Sequence, residues 1–263
     1  MKPSTVVAFV VSLLIQVGYP IAAALYYRRR TGAHWQLFAY GVLVFALFQL
    51  FTWLPLSVYL DTVVEPRLPT ATGAFFWLLA LAFLTSLIEE TGRWWGYRYL
   101  FPRGGFKLTW TNGVMYGLGH GAVETMLLIA GLTFVYFLAY LVLSQLNLDL
   151  LLQSLGAEAS PALKEALQAI VSTTWDQPLV VALERVLALP HQVAWSLLVL
   201  ENHVAGQKRW FALAVLYHLS VAVIVPGLAR LVGFGLAEAV NALLAVFSLW
   251  IILRLRALAT EGV

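Results

Sequence analysis

Glu89-Glu90-Thr91-Gly92-Arg93 sets two adjacent carboxylates inside a long apolar run. Arg93 is three residues beyond Glu90, a helical spacing that allows an ion pair. Adjacent helical residues point about 100° apart, so only one of the two glutamates is expected to lie fully in a given cavity. Two carboxylates confined together resist double ionisation, and one then keeps its proton to a higher pH. That is the requirement for a general base that activates water near neutrality. A second polar stretch is Gly117-Leu118-Gly119-His120-Gly121-Ala122-Val123-Glu124, in which His120 and Glu124 share a helix face. Glu184-Arg185, His191 and His218 follow in later apolar runs, Glu184 two turns before His191 on roughly the same face. Pro190 is expected to kink the backbone just before His191. Ionisable groups at membrane depth are costly, and they mark functional sites by default.

The elements that must position these residues are membrane helices. The chain of 263 residues is 61% hydrophobic and only 11% charged, the balance of an integral membrane protein. With no cysteine, disulfides and thiolate metal ligands are excluded, which leaves histidines and carboxylates. The net charge of +3 does not indicate nucleic acid, because the basic residues sit at the ends of apolar runs. The first run is longer than a signal-peptide core and meets Arg28-Arg29-Arg30 at once, so it reads as an uncleaved span. About seven spans are expected in an all-α polytopic bundle: 5–27, 36–60, 73–101, 110–146, 179–202, 210–229 and 234–254. There are eight if the fourth divides. Gly92, Gly96 and Gly131 are break points in the long third and fourth runs.

Arg28 to Arg30, Arg98, Arg103, Lys107, Lys208, Arg209, Arg254 and Arg256 fall on one side when the N-terminus is outside. Asp61, Glu65, Asp149 and Glu158 fall on the other, with Lys2, Arg67, Lys164 and Arg230 as basic exceptions. This pattern predicts an outer N-terminus and a cytoplasmic C-terminus in a bacterial-type plasma membrane. Trp35, Trp94, Trp95, Trp110 and Trp210 mark the inner boundary. Residues 147–178 form an external connection, in which Ser160 caps a short amphipathic helix that starts at Pro161. Residues 1–263 read as one domain. Counted from the inner loops, Glu90, His120, His191 and His218 all lie roughly 15 Å into the bilayer. Four helices thus carry an ionisable group to one level, with Glu124 about a turn deeper. Gly113, Gly117 and Gly121, spaced four apart, allow close helix approach. His34 and His203 fall in the inner connections.

The E-E-x-x-R stretch resembles the first motif of the glutamic intramembrane proteases, which include CAAX-processing and PrsW-like enzymes. Tyr116 to His120 resembles their second motif, and His218 their later histidine. The fuller G-x-G-H-G-x-x-E, with Glu184-Arg185 and His218, resembles the YhfC family of membrane peptidases over essentially the whole chain. The resemblance implies peptide-bond hydrolysis in the bilayer. Glu89 or Glu90 would activate water, and His120 and His218 would position it or stabilise the oxyanion. The superfamily often has Asn or Asp four residues after the last histidine, where this chain has Ala222; either Ser220, Asn241 or another group substitutes, or the oxyanion site is built differently.

Arg93, Glu124, Glu184 and His191 are supporting residues in this reading. A metal-free mechanism is favoured. The alternative is a zinc protease with ligands drawn from His120, Glu124, His191 and His218, although their spacing is not H-E-x-x-H. Two other classes use the same residues: a proton-coupled transporter, which commonly carries an inverted repeat that is not evident here, and a non-catalytic membrane scaffold. The expected partners are a membrane protein or peptide substrate and the lipid bilayer, with no nucleic acid. Substrate, cleavage position and oligomeric state are open.

Overall fold

The computed structural model describes residues 1–68, 70–154, 156 and 160–261, without the side chains of 258–261. Glu158 lies outside the described residues. The described residues form nine helices: α1 Pro3–Thr31, α2 Trp35–Arg67, α3 Ala71–Arg103, α4 Trp110–Leu143, α5 Leu148–Ser154, α6 Pro161–Val171, α7 Asp176–Val204, α8 Arg209–Val232 and α9 Phe234–Glu261. Thr70 caps α3 by accepting from Gly73 N, Thr109 caps α4 through Asn112 N, and Ser160 caps α6 through Leu163 N. Each cap satisfies an amide that the first helical turn leaves without a partner.

Among the described residues, six helices are long and apolar enough to cross a membrane: α1, α2, α3, α4, α8 and α9. The seventh expected span, α7, has the length, at 29 residues, but its apolar run is diluted by Glu184, Arg185, His191 and Gln192. Pro190 lies within α7 without ending it. The fourth run does not divide. Instead α4 carries a wide π turn at Glu124–Ile129, and α2 and α3 carry similar turns at Ala46–Trp53 and Gly96–Leu100. A π turn inserts a residue and re-aims the following face, and such turns gather at functional sites.

Contacts divide the chain into two compact units. The first comprises Met1–Tyr19 and Thr125–Val186. In it Phe9 stacks on Phe137 with ring centres 4.9 Å apart. Buried polar groups are linked: Gln16 donates to Ser12 at 2.8 Å, Ser12 to the Pro178 carbonyl at 2.6 Å, and Thr133 to Gln16 at 3.2 Å.

The second unit, Pro20–Glu124 and Leu187–Val263, holds most of the ionisable residues singled out above. Helix α4 is nearly all buried between 113 and 123, and glycines let two neighbours approach it. A Cβ at Gly117 would meet Val193 Cα at 2.9 Å, and one at Gly121 would meet Gln192 Cβ at 2.9 Å. Gly119 faces the Phe38 backbone of α2 in the same way. At the basic helix ends, Tyr27 donates to the Thr111 carbonyl at 3.2 Å and Trp110 to the Ile252 carbonyl at 2.9 Å. Arg256 lies 5.2 Å over the Trp110 ring, and His203 stacks on Trp94 at 5.5 Å.

Candidate active site

Helix α3 brings Glu89, Glu90 and Arg93 to the centre of the second unit, with exposures of 5%, 0% and 0%. Both glutamates are therefore enclosed, contrary to the expectation that only one would be. Arg93 stands at i+4 and i+3 from them, and its planar fork gathers two side chains that leave the helix in different directions. Its Nη2 donates to Glu89 Oε1 at 2.6 Å, and its Nη1 donates to Glu90 Oε1. With both carboxylates ionised, the trio carries one net negative charge in a low-dielectric setting.

The histidines reach this trio from two other helices. Against carboxylate oxygens, which only accept, each imidazole donates. His120 of α4 gives its Nε2 proton to Glu89 Oε1 at 3.1 Å. His218 of α8 gives its Nδ1 proton to Glu90 Oε1 at 2.8 Å, and its Nε2 lies 4.0 Å from Glu89 Oε2. Three groups expected from sequence at one depth are thus joined here. Tyr116, in the second motif, is fully buried and donates to the Arg93 carbonyl at 3.4 Å.

The two glutamates differ in what remains unbound. Glu89 Oε2 accepts from Gln49 of α2 at 2.9 Å, so both oxygens of Glu89 have donors. Among the described residues, Glu90 Oε2 is buried with no hydrogen-bond partner, and so is His120 Nδ1. An orphaned carboxylate oxygen and an orphaned imidazole lone pair at the same cluster are costly unless something binds them. Glu89, Glu90 and His218 each offer a ligand atom within 4.8 Å of the others. One imidazole and two carboxylates match the protein half of a catalytic divalent-metal site, which keeps one position open. The residues present fit a metal.

His191 and Glu124 are held elsewhere. Asn241 donates to Glu238 Oε2 at 3.2 Å, so its amide oxygen faces His191 Nε2, also at 3.2 Å. Ser248 Oγ lies 2.7 Å from His191 Nδ1, and Tyr217 donates to the Leu244 carbonyl at 2.8 Å. Trp195 lies between His191 and the cluster, its indole parallel to the His218 ring at 3.9 Å and to the His191 ring at 5.7 Å. Glu124 accepts from Gln192. Glu184 and Arg185 are half-buried and belong to the first unit. Asn241 serves His191, and Ser220 is bound to the Leu216 carbonyl at 2.7 Å.

Three contributors escaped the reading of the sequence: Gln49, Gln192 and Trp195. Gln49 was signalled by being a polar residue in an apolar run, and Gln192 by its place beside His191. Trp195 stacks on His218 and lies under the Arg93 guanidinium at 5.7 Å, but one indole among ten gives no signal of its own.

The profile of the family described as YhfC intramembrane metalloprotease matches residues 11–244. An uncharacterized membrane protein of Bacillus subtilis (strain 168), YhfC, is 26% identical over 182 residues, covering 69% of this chain and 68% of its own. No solved structure matches the chain.

Proposed function

This integral membrane protein belongs to the YhfC family, and from that premise we propose that it is an intramembrane endopeptidase whose reaction centre is Glu89, Glu90, His120 and His218. The observation that carries the reading is the unpartnered, buried Glu90 Oε2, on a carboxylate whose other oxygen is bound by His218 and whose neighbour Glu89 is bound by His120. Glu89 has both oxygens bound and anchors Arg93 and His120. Glu90 keeps one oxygen free to take a proton from water, and is the general base. Arg93 bridges the two carboxylates in a buried setting, where without it they would repel each other. His218, fixed flat against Trp195, orients Glu90, while the free Nδ1 of His120 can accept a hydrogen bond or a proton at the reacting group.

The donor set also supports a metal-assisted form, in keeping with the family's description. Glu89, Glu90 and His218 would hold a divalent ion such as zinc, a Lewis acid that makes bound water more acidic and polarises a carbonyl. His120 Nδ1 is then the group left to move the proton. The placement within the glutamic intramembrane protease superfamily and the metal-free mechanism are the finer alternatives.

Residues 1–263 act in this reading as a single membrane domain, with α7 as the seventh span. Its 29 residues extend about 43 Å, enough for the hydrocarbon core. Seven spans would set the termini on opposite sides, and the positive-inside rule would then put the basic helix ends in the cytoplasm and the N-terminus outside.

The test uses purified protein in liposomes with a panel of quenched single-span peptides. Glu90→Gln is expected to abolish cleavage while insertion and the unfolding midpoint stay near wild type. Cleavage by Glu90→Gln at the wild-type rate would refute the assignment. Activity of metal-depleted protein, with residual zinc far below stoichiometric, would exclude the metal-assisted form; loss on chelation and return with zinc would establish it.

A further inference from the structure

Gln192 is 4% exposed and lies between two groups that fix its orientation by their chemistry. Its Oε1 accepts from Arg93 Nη2, and its Nε2 donates to Glu124 Oε2. A guanidinium has only donors, and a carboxylate only acceptors. The amide therefore has one orientation that satisfies both neighbours, and a flip would set donor against donor and acceptor against acceptor. Arg93 Nη2 divides its protons between Glu89 Oε1 and Gln192 Oε1, so Gln192 contributes to aiming the fork that gathers both glutamates.

Helix α4 supports Gln192 at two points. Gly121 leaves room for its stem, since a Cβ there would meet Gln192 Cβ at 2.9 Å. Glu124 opens the π turn at Glu124–Ile129 and takes up its head group. This gives the last residue of the G-x-G-H-G-x-x-E stretch a purpose outside any ligand set.

We propose that Glu124 and Gln192 are positioning residues: the Glu124 carboxylate polarises and orients the Gln192 amide, which in turn sets Arg93 and through it the Glu89–Glu90 pair. The inference rests on the reading of that pair as the reaction centre. Glu124→Gln removes one of the two neighbours that fix the orientation and weakens the bond to the Gln192 amide, because the acceptor loses its charge and Arg93 alone is left to hold the amide. Gln192→Glu keeps an acceptor for Arg93 but sets two carboxylates against each other. Made together, the two substitutions exchange the groups: the introduced carboxylate accepts from Arg93 and from the introduced amide, with total charge unchanged.

Wild type, both single variants and the exchanged pair are assayed on the same quenched peptides, and their unfolding midpoints in detergent are measured. Each single variant is expected to lose about tenfold or more in cleavage, the scale of one hydrogen bond to a charged group. The exchanged pair is expected to return to within about threefold of wild type, with a midpoint above that of either single variant. An exchanged pair no better than the worse single variant overturns the proposal. So does one that recovers its midpoint but not its cleavage, which would mean packing alone. If wild type cleaves none of the peptides, the endopeptidase reading fails by itself. The midpoints then decide the linkage: strictly additive losses overturn it, and recovery in the pair sustains it.

Discussion

Replacing Arg93 by methionine removes the one cation that two buried carboxylates share. Methionine is apolar and of comparable length, so it fills much of the space, and the loss is mainly electrostatic. Arg93 has no exposed surface, donates to Glu89, Glu90 and Gln192, and packs its fork over Trp195. Breaking a buried ion pair from one side costs about 3–5 kcal/mol, because the remaining charge stays desolvated. Here two carboxylates remain, so the upper part of that range applies unless one takes up a proton. For a chain of this size, that loss lowers the unfolding midpoint by on the order of 10 °C. The physics makes a second, sharper demand. Removing the charges together leaves no uncompensated ion, so the triple replacement Glu89→Gln, Glu90→Gln, Arg93→Met should lie within about 2 kcal/mol of wild type. The assay is denaturant or thermal unfolding in detergent, followed by circular dichroism. If Arg93→Met unfolds like wild type, or the triple variant is less stable than Arg93→Met, the account of a charge-compensated trio is refuted.

Glycine substitutions along α4 separate close approach from helix propensity. Gly117→Ala brings a methyl to 2.9 Å from Val193 Cα and should cost about 1–3 kcal/mol in unfolding measurements. Gly131→Ala meets nothing within 4 Å and should leave stability unchanged or raise it by up to about 1 kcal/mol, on the same assay. Gln49→Leu strips Glu89 Oε2 of its donor, so stability should fall by about 1.5–3 kcal/mol. The companion Glu89→Gln, Gln49→Leu double variant should fall less than the sum of the two, as a double-mutant cycle would record.

Most of the helical architecture was legible because it depends on relations along the chain. Apolar length marked the six apolar spanning helices, helical spacing set the Glu90–Arg93 pair, and counting from the helix ends put His120 and His218 level with Glu90. Rise per residue is nearly constant in a helix, so depth follows from position alone. The Gly117 and Gly121 spacing announced a tight helix contact for the same reason.

Rotation about each helix axis, by contrast, is decided by packing between helices. Sequence could not tell that His191 turns to Asn241 and Ser248 while its neighbour Gln192 turns to Arg93, since both share one depth. It could not choose between Glu89 and Glu90, because the difference lies in a donor, Gln49, contributed by another helix. It also gave no warning that one arginine fork would enclose both glutamates. The amino-acid sequence by itself therefore determined which polar groups share a level along neighbouring helices. Tertiary structure alone decided which of them face one another, because hydrogen bonds across helices depend on azimuth, and azimuth is set by the glycine-lined contacts of α4 with α2 and α7.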